Sequence, residues 1–196
     1  KMRKLLSILA VATSLAGPAF GEGVPIKFTL DWKIQGVHSW FYLAKEKGYF
    51  AAEGLDVTID QGEGSAATVS RVMSGAYDAG FGDMNAILHN AATKPDEAPL
   101  CVYQMYNKPP FTVAVLKSSD IMTAKDLEGR LLGGAANDGA LKLFGAFANV
   151  AELDTSAIEI LNFKSNLREQ MLKTKQVEGV FGYVNTIRFS AKLSGM

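Results

Sequence analysis

The sequence lacks the marks of several protein classes. It has one cysteine, Cys101, among 196 residues, so no disulfide can form within the chain. The apolar neighbours of that cysteine, Leu100 and Val102, predict a small buried side chain. Basic and acidic residues both number 20, which leaves no electrostatic footprint for nucleic acid. The apolar stretch from Leu5 to Phe20 is shorter than the roughly 20 residues that span a bilayer.

Catalytic signatures are missing as well. The sequence contains no GK[ST] phosphate loop, no Ser/His/Asp order typical of hydrolases and no spacing of metal ligands. These absences count against an enzyme, and we expect neither a metal nor a cofactor.

The amino terminus has the layout of an export signal. Lys1, Arg3 and Lys4 precede an apolar run that ends near Leu15, and small residues follow through Gly21. This order of charge, apolar core and small residues is typical of a secretory signal peptide. We expect residues 1–21 to be a cleaved signal peptide, or else a retained anchor.

The stretch from Thr29 to Ile59 predicts a strand, a loop, a helix and a second strand. The strands are the alternating runs 26–30 and 55–59, and apolar residues from Trp40 to Ala44 form one helical face. In such a unit the loop after the first strand lies at the carboxyl edge of a parallel sheet, where open α/β folds bind ligands. That loop supplies four candidates for holding a small polar ring: Asp31, Trp32, Gln35 and His38.

This opening resembles that of a known family. Its features are, in order, the strand ending in Asp31-Trp32, the polar loop with His38, the aromatic helix, the Gly-Tyr-Phe turn at 48–50 and the Glu-Gly-Leu-Asp-Val run at 53–57. Together they are similar to the opening of the NMT1/THI5-like periplasmic substrate-binding proteins of ABC importers. The resemblance continues through residues 62–86 and more loosely to Tyr183. It implies an α/β fold of the type II periplasmic binding protein class, with two βαβ lobes around a cleft. We expect lobe 1 at residues 24–107, lobe 2 at residues 108–196 and a crossing at residues 107–110.

The resemblance also implies ligand-facing turns. On the residues alone, Gln61 to Ser65 is an ordinary turn with Ser65 as helix N-cap, and Asp83 and Asp138 are equally well caps. Of the two tyrosines in a predicted strand at 100–106, Tyr103 and Tyr106, at most one faces the cleft, because residues three apart point to opposite faces. The candidates added by the resemblance, with Tyr103 as the tyrosine of that strand, are Glu63, Gly64, Ser65, Asp83, Asn85, Tyr103, Asn137, Asp138, Gly139, Tyr183 and Asn185.

The sequence departs from the family near its end. Family members return to the first lobe through a second crossing, whereas this sequence ends at Met196. The resemblance therefore predicts a truncated form that lacks the C-terminal part of the first lobe, and a bare sheet that a partner protein could cover.

Three functions follow from the resemblance. The first is a solute-binding protein that presents a small molecule to an ABC permease in the inner membrane. The second is an enzyme of the eukaryotic branch that makes the thiamine pyrimidine; because that branch depends on a cysteine-rich motif and a cofactor lysine, we expect no enzyme here. The third is a truncated relic that serves as a structural subunit of a membrane-associated complex.

The candidate cleft residues indicate the charge of the ligand. Four carboxylates are among them, and none of the candidate residues is a lysine or an arginine. A sulfonate or nitrate would lose water and meet these carboxylates, whereas a nitrogen heterocycle of the thiamine-precursor kind could donate hydrogen bonds to them. We expect such a heterocycle, stacked on Trp32, rather than an anion; the alternative role for Trp32 is packing in the core.

Overall fold

The structure, a computed structural model, describes residues 23–196, so the predicted signal peptide or anchor lies outside the described residues. The described chain builds two separate β-sheets, one from the first half of the sequence and one from the second. Within residues 23–196, the helices are too short and too polar to cross a membrane.

The first sheet is parallel and has three strands in the order β2-β1-β3. Its strands are β1 (Val24–Thr29), β2 (Leu55–Asp60) and the two-residue β3 (Ala79–Gly80). The helices that accompany it are α1 (Ser39–Glu46), α2 (Tyr49–Ala52), α3 (Ser65–Met73) and α4 (Met84–Thr93). The predicted strand, helix and strand between Ile26 and Ile59 are therefore confirmed, and the two strands pair in register from Val24 with Leu55.

The strand predicted at residues 100–106 is absent. The segment is extended but joins neither sheet, and Leu100 and Val102 are 88% and 93% exposed. Its apolar side chains have no partner to bury against, because β3 is only two residues long and no described strand pairs with the segment. Cys101 is consequently exposed, and the prediction of a buried thiol is wrong.

The second sheet has four strands in the order β4-β7-β5-β6, with β4 antiparallel to β7. They are β4 (Phe111–Val115), β5 (Leu131–Gly134), β6 (Glu159–Asn162) and β7 (Gly179–Tyr183). The helices α5 (Gly139–Val150), α6 (Arg168–Lys173) and α7 (Val184–Leu193) pack on it. A core on one side centres on Phe144 and Phe181, and a second core centres on Leu172 and Val180.

Helix starts differ from the sequence predictions at two places. Gly64, with φ +118°, holds the N-cap position of α3, so Ser65 is the first helical residue rather than the cap. The spacing of Asn166 and Glu169 predicts a capping box for a later helix, but α6 begins only at Arg168 and Glu169 forms ion pairs instead, so this prediction is wrong. The other two starts agree with the predictions, because Asp83 and Asp138 cap α4 and α5.

Candidate functional site

A cavity lies between the two sheets, at the carboxyl ends of their parallel strands. It is lined by Asp31, Trp32, Gln35, Val37, His38, Ser65, Phe111, Asp138, Gly139, Arg168, Gly182, Tyr183 and Thr186. Its free volume is about 20 Å³, enough for about one water molecule. The two halves of the chain are therefore closed on each other at this place.

The loop after β1 contributes a buried carboxylate and a buried imidazole. His38 is fully buried, and its Nε2 lies 2.9 Å from Oδ1 of Asp31. The backbone N–H of Gln35 donates to Nδ1 of His38 over 3.1 Å. Because that nitrogen accepts, the ring proton of a neutral imidazole is on Nε2 and is donated to Asp31. His38 thus orients the carboxylate of Asp31 and adds no positive charge to the cavity.

Trp32 lines the same cavity and carries an unsatisfied hydrogen-bond donor. The residue is 8% exposed, and its buried Nε1 has no hydrogen-bond partner among the described residues. The guanidinium of Arg168 lies over one face of the indole, 5.5 Å from the ring centroid. That face of the indole is therefore occupied by the guanidinium.

Arg168 is the site residue that sequence reasoning missed. It is 2% exposed, and its Nε and Nη2 donate to Oε1 of Glu169 over 3.1 and 2.7 Å. Glu169 Oε2 accepts a further hydrogen bond of 2.9 Å from Lys33, which belongs to the loop after β1. Arg168 lies outside the candidate loops, so its charge did not enter the expectation about the ligand. A usable signal was its position just after β6, the same strand-end rule that selected Asp31.

The ionisable groups of the site respond to burial. Burial is the main reason that the pKa of Asp138 is raised to about 6, although the backbone N–H of Ala140 and the charge of Arg168 oppose it. Burial, followed by the charge of Asp31, also raises the pKa of Tyr183. Burial alone would raise the pKa of Glu169 too, but Arg168 and Lys33 together hold it below its usual value.

The turns after β2 and β5 meet at the rim of the cavity. The backbone N–H of Ala66 donates to the carbonyl oxygen of Asn137 over 3.3 Å. A Cβ on Gly64 would lie 2.1 Å from that same oxygen, and a Cβ on Gly139 would lie 2.7 Å from the ring of Phe111. Glycine at position 64 therefore allows the two halves of the chain to touch, and glycine at position 139 leaves room for Phe111 within the second half.

The structure brings eight of the predicted site residues to the cavity: Asp31, Trp32, Gln35, His38, Ser65, Asp138, Gly139 and Tyr183. Five further lining residues were not predicted: Val37, Phe111, Arg168, Gly182 and Thr186. Val37 and Gly182 adjoin predicted positions, so a wider window along each strand end would have included them.

The other predicted residues lie outside the lining. Gly64 and Asn137 form the rim contact described above. Asp83 is a buried helix cap that binds the backbone N–H of Asn85, whose side chain is exposed. The carboxylate of Glu63 is 72% exposed and lies 3.5 Å from Arg71.

Tyr103 and Asn185, the remaining predicted residues, also lie outside the cavity lining. Tyr103 is 77% exposed and away from the cavity. Tyr106 packs instead against Tyr183, with ring centroids 6.1 Å apart, and Asn185 is exposed. Tyr106 is therefore the tyrosine of this segment that approaches the site.

Two sheets that enclose a cavity at their carboxyl edges have the fold of the type II periplasmic binding proteins, and solved structures of this fold are similar to the chain. A structure from Bordetella bronchiseptica RB50 is 20% identical, with a TM-score of 0.68 over 89% of this chain and 55% of that chain. The alkanesulfonate-binding protein SsuA from Xanthomonas axonopodis pv. citri, bound to MOPS, is 17% identical, with a TM-score of 0.61 over 84% of this chain and 56% of that chain.

The sequence model of the family described as NMT1/THI5 like matches residues 35–196, and the chain belongs to this family. A relative from Schizosaccharomyces pombe, named 4-amino-5-hydroxymethyl-2-methylpyrimidine phosphate synthase, is 28% identical over 119 residues. That match covers 60% of this chain and 34% of the relative, so the chain spans about a third of the length of the curated relative.

The names of the relatives correct one expectation. The single cysteine and the missing catalytic motifs led us to expect that the protein is not an enzyme. Curated relatives from several fungi are named for a synthase, which is an enzyme. The absence of a recognisable motif in the sequence therefore does not exclude enzymes from the functions of this family.

Proposed function

We propose that the protein is the exported solute-binding component of an ABC importer, and that its cleft binds a small nitrogen heterocycle of the aminopyrimidine kind. The observation that carries this proposal is that Trp32, whose buried N–H has no partner among the described residues, lines the same cavity as Asp31. Leaving such a donor unsatisfied costs roughly 1–3 kcal/mol, so a ligand atom that accepts its hydrogen bond would recover that energy.

An aminopyrimidine supplies the complementary pair of groups. Its ring nitrogen accepts a hydrogen bond, and the adjacent exocyclic amino group donates one. Trp32 offers the donor and Asp31 the acceptor, with His38 fixing the orientation of that carboxylate over 2.9 Å. A hydrogen bond from the amino group to a charged carboxylate is stronger than one between neutral groups.

The charges of the cavity favour this ligand over an anion. Arg168 is the lining cation of the described chain, and Glu169 already neutralises it through two hydrogen bonds. Asp31 and Asp138 remain as uncompensated carboxylates, both less than a tenth exposed. A sulfonate at this place would meet two negative charges in a medium that screens them poorly.

Ligand entry requires an opening motion. A free volume of about 20 Å³ is too small for a six-membered ring, so the two sheets must separate before binding. The proposed hinge is the segment from Asn107 to Pro110, which leads into β4 and has no regular secondary structure. Closure around the ligand would create the surface presented to a permease in the inner membrane.

The proposal includes the boundary between the lobes at residues 107 and 108. It also includes a partner protein that covers the first lobe. The exposed apolar side chains of Leu100 and Val102 are the surface that a partner, or further chain, would cover. A truncated binding-protein relic in a larger complex would use this surface and would not need the cavity.

A thermal-shift panel tests the proposal. The panel comprises 4-amino-2-methylpyrimidine, polyamines, taurine, alkanesulfonates and nitrate, each against residues 22–196. We expect the aminopyrimidine to raise the melting temperature most. Stabilisation by sulfonates alone would show that the ligand is an anion, and no response from any compound would favour the structural role.

A pair of tryptophan variants tests the carrying observation. Trp32→Phe keeps an aromatic ring and removes the N–H, and we expect it to weaken aminopyrimidine binding about tenfold, the size of one neutral hydrogen bond. The matched control is Trp40→Phe, because Trp40 has a second unpartnered indole nitrogen that lies outside the cavity. Equal affinities of the two variants in calorimetry would contradict the assignment.

A second candidate is a role in making the pyrimidine. The observation that favours it is the name shared by the fungal relatives. Mass spectrometry of small molecules after incubation with candidate precursors distinguishes the two: an unchanged pyrimidine released from the cleft supports binding, and formation of a pyrimidine phosphate supports synthesis.

A further inference from the structure

Arg168 occupies a place built for its guanidinium. The side chain is 2% exposed and lies over the ring of Trp32 on one side. On the other side is Gly182, where a Cβ would come within 2.4 Å of Nη1 of Arg168. Only glycine leaves room for the guanidinium here, and the φ of +148° at Gly182 is itself unfavourable for other residues. The cation is therefore fixed at the wall of the cavity.

Glu169 neutralises this cation from outside the cavity. Its Oε1 accepts from Nε and Nη2 of Arg168, and its Oε2 accepts from Lys33 on the opposite side of the cleft. Glu169 is not among the lining residues, and its side chain is 14% exposed. It acts on a bound molecule only through Arg168.

We propose that Glu169 determines which ligand charge the cleft accepts, by masking the guanidinium of Arg168. With Glu169 ionised, the pair contributes no net charge and the carboxylates of Asp31 and Asp138 dominate the cavity. Without that carboxylate, the same guanidinium would face the cavity as a buried, unbalanced cation and would attract an anion. A single position outside the cavity would thus separate an amine-type site from a sulfonate-type site on one fold. This inference rests on the proposed function only in assuming that the wild-type cleft prefers an amine-type ligand to an anion.

The test compares two probes on three variants. The dissociation constants of methanesulfonate and of 4-amino-2-methylpyrimidine are measured by calorimetry at low ionic strength. We expect Glu169→Gln to change the ratio of the two constants at least tenfold in favour of methanesulfonate. The control is Glu178→Gln, which breaks an Arg–Glu pair of 2.9 Å with Arg130 inside the second sheet and is expected to leave the ratio unchanged.

A double variant separates charge from structure. Arg168→Gln with Glu169→Gln removes both charges of the pair and leaves only Lys33, whose side chain is 25% exposed, without its partner, so it folds even if the single variant does not. We expect its ratio of the two dissociation constants to stay within about threefold of the wild-type ratio. The reason is that two uncharged side chains replace an ion pair whose charges cancel. The conservative variant Glu169→Asp is expected to keep the wild-type ratio as well.

The outcomes distinguish this inference from the proposed function. Wild-type protein that binds neither probe, or methanesulfonate alone, overturns the proposed function; the gain in methanesulfonate affinity caused by Glu169→Gln then tests the masking role by itself. A ratio that does not move in folded Glu169→Gln, or that moves equally in Glu178→Gln, overturns the masking role. A double variant with the ratio of Glu169→Gln overturns it too, because the guanidinium is then not the cause.

Discussion

At the scale of single residues, Asp138 holds a position where asparagine would cap the helix equally well. Its carboxylate oxygen accepts from the N–H of Ala140 over 2.8 Å, a bond that an asparagine oxygen can also accept. The charge is nevertheless costly, because burial is the main cause that raises the pKa of Asp138 to about 6. A residue that is retained against such a cost is a candidate for function.

The stability of Asp138→Asn should therefore depend on pH. Because the folded pKa exceeds the ordinary value of 3.8, Asp138 favours the folded state below about pH 4, and this contribution is lost as the pH rises through about 6. At pH 7 we expect the variant to be more stable than wild type by roughly 3 kcal/mol, and at pH 4 we expect almost no difference. Urea unfolding at the two pH values measures this.

The control for that experiment is Asp83→Asn, at the other buried helix cap. Asp83 accepts a bond of the same length, 2.8 Å, from the N–H of Asn85 but lies outside the cavity lining. We expect its free energy of unfolding to stay within about 1 kcal/mol of wild type at both pH values. A gain for Asp138→Asn that is the same at pH 4 and pH 7 would show that burial of charge is not the reason.

The residues of the site differ in how far the sequence predicts them. Asp31, Trp32 and His38 fall within eight positions after a clear strand, so the strand-end rule was sufficient to select them. Arg168 was missed because its approach to Trp32 depends on how two sheets from distant parts of the chain close on each other. The tautomer of His38 was likewise beyond the sequence, since the N–H of Gln35 fixes it through the local turn.

At the scale of elements, the segment from Leu100 to Tyr106 shows what pattern alone cannot supply. Alternating apolar residues predict a strand there, but a strand needs a neighbour with free backbone groups along its length. The two residues of β3 offer almost none. The first strands and the capped helices were predictable, by contrast, because their patterns and their partners lie close together in the sequence.

The exposure of this segment gives a chemical prediction. Cys101 is the single cysteine of the sequence and is exposed. We expect its thiol to react with DTNB in the folded protein about as fast as in urea, because no packed structure has to open first. Reaction that is slowed a hundredfold or more by folding would show that residues 100–106 pair as the buried strand that the sequence pattern predicts.

At the scale of the whole molecule, closure of the cleft depends on contact between the turns after β2 and β5. Gly64→Ala would place a Cβ 2.1 Å from the carbonyl oxygen of Asn137 and would strain a backbone with φ +118°. We expect this variant to hold the two sheets apart and so to increase the radius of gyration in small-angle X-ray scattering. The control for backbone strain is Gly75→Ala, because φ at Gly75 is +71° and a Cβ at this position would have no atom within 4 Å.

That comparison isolates the contact from the backbone effect. We expect Gly75→Ala to lose stability, since a left-handed φ is unfavourable for alanine, without a change in the radius of gyration. Equal radii for the two glycine variants, both measured on folded protein, would contradict the role of the Gly64 turn in closure.

The fold of the whole molecule was predictable from the resemblance, and the comparisons confirm it. The relative position of the two sheets was not, because closure depends on side-chain contacts such as Lys33 with Glu169. The exclusion of enzymes failed for a different reason. A fold of this kind supports more than one function, and the functional differences lie in a few side chains rather than in composition.

The central claim, that the indole N–H of Trp32 binds an acceptor atom of the ligand, can be tested directly by NMR. The sequence has two tryptophans, so uniformly 15N-labelled protein gives two indole N–H signals, and Trp40→Phe assigns the remaining one to Trp32. On titration with 4-amino-2-methylpyrimidine we predict that the Trp32 signal moves downfield to saturation while the Trp40 signal stays in place. Binding detected by calorimetry with an unmoved Trp32 signal would contradict the claim.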